Sequence, residues 1–199
     1  MVRKTRSEMI AETRIKLVSA AREAFGTIGY ANTSMDELTA SAGLTRGALY
    51  HHFGDKKGLL EAVVNEIDAE MDSRLAEISD TAEGNWEGFV GRCHAYLAMA
   101  LEPEIQRIVL RDAPSALGNA YSQSSQSQCL ATMADMLHRL MIDQVIKTTD
   151  HEALARLLNG ALINTAFWLA NAENAEDGLS KALQSLSLVL NGLLLKDRS

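Results

Sequence analysis

The chain has 199 residues, 47% of them hydrophobic, enough to enclose one large core or two smaller ones. With only 2 prolines and an abundance of Ala, Leu, Met and Glu, helix is favoured throughout. The net charge of −7 divides unevenly: residues 1–60 carry nine Lys/Arg against six Asp/Glu, residues 61–199 ten against twenty. A mildly basic first third, suited to a polyanion, therefore precedes an acidic body. Cys93 and Cys129 form no CxxC pair and have no His at a metal spacing, which points to reduced thiols. The charged start, MVRKTRSEMIAETR, lacks the apolar region of a secretory signal, and no apolar run approaches the ~18–20 residues of a membrane span. The expectation is a cytoplasmic protein with no metal, cofactor or membrane partner.

In chain order, apolar residues at three- and four-residue steps predict a helix over 8–28, ending at Gly29 as its C′ residue. Ser34 with Glu37, or Thr33 with Asp36, fits a capping box for a short helix over 34–41. Gly43 permits a left-handed turn, and Thr45 caps a helix over 45–52. Asp55 caps the next, over 56–78, striped by Leu59, Leu60, Val63, Ile67, Met71, Leu75 and Ile78. Further helices are predicted at 85–101, 104–112, 118–147, 151–172 and 176–195. Pro103 and Pro114 punctuate the second of these. The polar stretch 121–128 is open between a helix start and a loop.

Three short helices with a glycine turn between the second and third are the arrangement of a helix-turn-helix. Its inner positions must be apolar, as Leu38, Ala42, Leu44 and Leu49 are. Its third helix must enter a groove ~12 Å wide, which calls for small residues flanked by a few long donors. Gly47 and Ala48 supply the first requirement. Arg46 can bridge N7 and O6 of a guanine, with Thr45 beside it at the helix start. Tyr50, His51, Lys56 and the Thr33–Ser34 helix entry are expected to hold phosphates. Neighbouring His51 and His52 point about 100° apart on a helix, which argues against a shared metal ion.

The segment TSMDELTASAGLTRGALYHHFGDKKGLLEAV resembles the DNA-binding domain of TetR-family transcriptional repressors, over about residues 10–65. Thr39 departs from the Ala usual in helix-turn-helix proteins. RIVLRDAPSALG (107–118) is similar to a central stretch of drug-responsive members. The resemblance implies an all-helical homodimer of about nine helices. Residues 1–55 would bind a near-palindromic DNA operator. Residues 56–199 would bind a small-molecule inducer, a lipophilic or cationic compound, and dimerise.

Candidate inducer contacts are Phe89, His94, Tyr96, Met99, Met133, Met136, Phe167 and Trp168, since Met is pliable and aromatic rings are large apolar surfaces. Asp112, following an apolar IVL run, is a candidate for a cationic group. Each of these has an ordinary core or surface role as its alternative. Leu158, Leu162 and Thr165 on one apolar stripe, and Leu186 and Leu190 on another, are the expected dimer seam. An enzyme is a poor alternative, because the chain has no nucleophile elbow, HExxH, P-loop or dinucleotide turn. A protein-interaction module without DNA binding is the third reading.

Overall fold

A computed structural model describes residues 5–195, with side-chain detail outside residues 119–127. The described residues form nine α-helices and one π-helical segment, with a single isolated β-bridge. The first helix, α1 (Arg6–Thr27), begins two residues before its apolar stripe predicts, because Thr5 and Glu8 form a reciprocal capping box. The Glu8 amide donates to Thr5 Oγ1 at 3.2 Å, and the Thr5 amide to the Glu8 carboxylate at 2.7 Å. Gly29, at φ +87°, then turns the chain.

The Ser34 hydroxyl starts α2 (Met35–Ser41) by accepting the Glu37 amide, so of the two registers Ser34 is the cap. Gly43, at φ +66°, reverses the chain. Thr45 caps α3 (Arg46–Phe53) by accepting from the Ala48 amide at 3.2 Å. Leu38 and Leu49 are buried with Leu17, Val18, Ala21 and Phe25 of α1. Thr39 is buried too, and its hydroxyl donates back to the carbonyls of Met35 and Asp36. Its departure from Ala therefore leaves no polar group unpaired.

The Asp55 carboxylate accepts the Gly58 amide at 2.8 Å and starts α4 (Lys56–Asp80). A Cβ at Gly58 would overlap the carbonyl oxygen of Phe53, so only glycine lets α4 begin this close to the end of α3. One end of α4 packs on the three-helix head and the rest packs in the body, making it a strut between them.

The body comprises α5 (Asn85–Met99), the π-helix (Ile105–Asp112) running straight into α6 (Ala113–Leu117), α7 (Asn119–Ile142), α8 (His151–Ala170) and α9 (Ala175–Asn191). The stretch predicted as plain helix over 104–112 is the π-helix. Pro114 explains it: a proline ring crowds the carbonyl four residues back, and a wider turn ahead of it relieves that clash. The Ala113 amide reaches the Ile108 carbonyl, five residues back. The polar stretch 121–128 falls within the backbone of α7, and the side chains of 121–127 lie outside the described residues.

Both α7 and α9 stop short of their predicted ends, for one reason. Val145–Lys147 pairs with Leu193–Leu195 as an antiparallel bridge, Lys147 N–H to Leu193 O at 2.8 Å and Leu195 N–H to Val145 O at 3.1 Å. Apolar residues that extend a helical pattern on paper are used in this clasp. By length and composition alone α8 is apolar enough to cross a membrane, against the expectation of no such run, yet it packs against α5, α7, α9 and the π-helix.

Candidate functional site

Thr45 at the cap of α3 and Arg46, Gly47, Tyr50 and His51 on it are exposed, while Ala48 on α3 and Ser34 at the cap of α2 are half-buried. A Cβ at Gly47 would meet no atom closer than Thr45 Oγ1 at 3.9 Å, so that face is open. Arg46 is held in place by neighbours: its guanidinium donates to both Asp36 carboxylate oxygens, at 3.0 and 3.2 Å, and to the Tyr50 hydroxyl at 3.2 Å. Hydrogen bonding to Tyr50 and the charge of Asp36 push its guanidinium further toward the protonated form. Lys56 Nζ sits 4.6 Å from the centroid of the Tyr30 ring and donates to the Ala31 carbonyl at 3.5 Å. Burial holds its amino group below the usual lysine range. Thr33 must be corrected: it is buried, and its hydroxyl donates to the Gly29 carbonyl at 2.8 Å, leaving no donor for a phosphate.

The head is locked to the body at the π-helix. The Tyr30 amide donates to Asp112 Oδ2 at 2.8 Å, and the Arg107 guanidinium lies against Gly29. Just ahead of the π-helix, Glu104 accepts two hydrogen bonds from Arg22 of α1, at 2.7 and 2.8 Å. Arg22 also bonds Glu66 and Glu70 on α4, and hydrogen bonding to Glu104 is the chief cause of its strongly raised affinity for its proton. Helix α1, the strut α4 and the entry to the π-helix thus meet on one guanidinium. Asp112, expected to meet a ligand, faces the head instead, because the wider π turn rotates it away from the apolar side of the segment.

That apolar side walls a cleft of about 660 Å³, counted out to its open mouth. Ile105, Val109 and Leu110 of the π-helix form one wall. The strut α4 supplies Asp68, Met71, Asp72 and Leu75. Tyr96 comes from α5 and Ala100 from its C-terminal end, Cys129 from α7, and Asn159, Ile163 and Ala166 from α8. Burial pushes the Tyr96 phenol and the Cys129 thiol up, so both are neutral at pH 7. The buried thiol of Cys93 is pushed up to about 12 by the same cause.

Of the expected inducer contacts, Tyr96 alone borders this cleft. Phe89 is fully buried and stacks on Trp86, with ring centroids 6.1 Å apart. Met99 is core, and Phe167 is packed against the core. His94 Nε2 lies 3.2 Å from Ser187 Oγ on α9. Met133 borders a small adjoining void behind Tyr96, and Met136 a polar groove between α4, α5 and α7. Trp168, 51% exposed, stands on a second apolar groove between α8 and α9. Leu158, Leu162, Thr165 and Leu186 of the expected seam border the same groove. Leu190 does not, being fully buried in its own chain's core, while Leu157, Leu188 and Val189 are the exposed apolar residues. An apolar surface is present on these two helices, and of the five expected residues Leu190 alone is turned away from it. The cleft residues Asp68, Met71, Asp72 and Leu75 were missed as a set, although their helical spacing of three and four residues puts them on one face.

An all-helical chain with a helix-turn-helix whose third helix is bare and exposed, joined to a body with an internal cleft, is the architecture of a DNA-binding regulator. Residues 17–63 match the bacterial regulatory proteins of the tetR family, and residues 86–193 match the tetracyclin repressor-like C-terminal domain. A crystal structure of a TetR-family transcriptional regulator from Pectobacterium atrosepticum is 56% identical, covers 98% of this chain and 100% of its own, and has a TM-score of 0.90. The Transposon Tn10 TetC protein of Escherichia coli is 28% identical over 193 residues, 96% of each chain. The HTH-type transcriptional regulator TtgR of Pseudomonas putida is 37% identical over 83 residues, 42% of this chain and 39% of its own. The chain belongs to the TetR family of transcriptional regulators.

Proposed function

We propose that the protein is a cytoplasmic, non-catalytic homodimeric repressor, released from its operator by a small molecule that enters the cleft. The observation that carries this reading is the shared wall: the π-helix presents Ile105, Val109 and Leu110 to the cleft and Arg107 and Asp112 to the head. A molecule that displaces the wall strains the Asp112–Tyr30 and Glu104–Arg22 contacts. The head then shifts on its strut, and the operator-bound arrangement loses population through unequal ligand affinity for the two states.

Residues 1–55 act as the reading head and 56–199 as the sensing and dimerising body. Ser34, Thr45, Arg46, Gly47, Ala48, Tyr50, His51 and Lys56 form the DNA surface. Arg46 leaves Asp36 to reach a base edge, and the others approach the groove or hold phosphates. The α8–α9 face, with Leu157, Trp168, Leu188 and Val189 exposed, is covered by the same face of a second copy. Two heads then lie ~34–36 Å apart on successive major-groove turns of a near-palindromic site.

Selection of bound duplexes from a random pool tests this directly. The expected product is an inverted repeat with half-sites one turn apart, bound by two chains in sedimentation analysis. Recovery of unrelated duplexes, or binding by a single chain, overturns the reading.

A further inference from the structure

The small void behind Tyr96 gathers sulfur. Both cysteines of the chain line it, Cys93 from α5 and Cys129 from α7, and so does Met133. Cys129 and Met133 stand four residues apart on α7, on one face of the helix. The free space is about that of one water molecule, too little for an organic compound and enough for a single ion. Both thiols are free. Cys93 is buried, whereas Cys129 is half-buried and also stands on the wall of the cleft. The cleft opens to solvent, so an ion has a path past Cys129 to the void.

Thiolate and thioether donors select soft metals. Among the described residues no three His, Cys, Asp or Glu side chains form a metal-binding group. Zinc and iron–sulfur centres, which take about four such ligands, are therefore not served. A soft monovalent ion is, because two thiolates satisfy it and a thioether adds a third, weaker bond. Burial pushes both thiols up, that of Cys93 to about 12, and the charge of Arg92 opposes this at each. Two thiolates around one monovalent ion carry one net negative charge, which a dry void tolerates only with a counter-charge. Arg92 supplies it. It is nearly fully buried and lines the same void. Its contact to Asp72 Oδ1, at 3.6 Å, is longer than the ~2.7–2.9 Å of a tight charge-assisted bond.

We propose that Cys93 and Cys129 bind a soft monovalent metal ion, Cu(I) or Ag(I), in this void, with Met133 as third donor and Arg92 balancing the charge. Each S–H bond breaks, each sulfur bonds the metal, and both protons leave to the buffer. No electron moves, so the ion arrives and stays monovalent. Cu(I), kept reduced by ascorbate under argon, is titrated into the full-length protein against the chromophoric chelator bathocuproine disulfonate. One Cu(I) per chain is taken from the chelator. Ag(I), titrated calorimetrically in buffers of different ionisation enthalpy, binds at the same ratio and releases about two protons per ion. Zn(II) binds at least about a hundredfold more weakly than Ag(I). Cys93→Ala and Cys129→Ser each weaken Cu(I) about a hundredfold or more, and Met133→Leu about threefold or more, with melting curves showing the variants folded.

No transfer of Cu(I) from the chelator, release of about one proton or none, Zn(II) bound as tightly as Ag(I), or unchanged Cu(I) affinity in any of the three variants overturns the proposal. The proton count is made on the unaltered chain, so it decides even where a substitution unfolds the protein. No readout involves DNA, and the metal site therefore stands or falls apart from the repressor reading.

Discussion

The head and the body do their work with opposite use of the same material. In the head, the important surface is where side chains are missing: a Cβ at Gly47 would come no nearer than 3.9 Å to another side chain, and Arg46 is parked on Asp36 at its edge. In the body, the important surface is enclosed, where α4, α5, α7, α8 and the π-helix fail to close completely. One region presents, the other surrounds. Substitutions in the head should therefore separate function from stability, whereas those where head and body join should not.

The sharpest way to break that contrast lies at the joint. Gly58→Val places a branched side chain into the Phe53 carbonyl and should destabilise the fold by about 3 kcal/mol or more, visible as a lowered melting temperature and lost DNA binding together. Gly47→Leu is its counterpart. Space is available and a glycine in the first turn of α3 is replaced, so stability should hold or rise by up to about 1 kcal/mol, while operator affinity falls by about a hundredfold in anisotropy titrations. Melting together with binding at position 47 would erase the distinction.

Two smaller effects sharpen the picture of the head. Asp36→Asn frees Arg46 and removes a negative charge beside the groove. Affinity for random duplex should rise about fivefold or more, with a smaller gain on operator, so the ratio of the two contracts. Lys56→Ala should weaken operator and random duplex alike and reduce the salt slope by about 1, because a phosphate contact carries no sequence information.

The same contrast explains which features were legible in the sequence. Head signals are local: Ser34, Thr45 and Asp55 cap helices within three residues of themselves, and Gly43 marks its own turn. The cleft is assembled from five elements, and no local rule joins Asp72 on α4 to Asn159 on α8. Its residues sit on faces that read as core, or, for the two carboxylates, as solvated surface. Asp112 misled because a π turn changes the phase of every residue after it, and only Pro114 hinted at one. Leu190 misled because an apolar residue on α9 serves the chain's own core as readily as a partner's surface. Within the last turn of that helix Leu190 faces its own chain's core, and Leu188 and Val189 are left outside.

That clasp also decides how α9 can move. With Leu193 and Leu195 bonded to the strand-like segment after α7, an axial slide of α9 would break both main-chain bonds at once, whereas a tilt about that end would break neither. The helix is moored at its tail, so a tilt pivots there. Any adjustment between paired subunits built on it would open like a pair of calipers, widest at the far end and nearly still at the pivot.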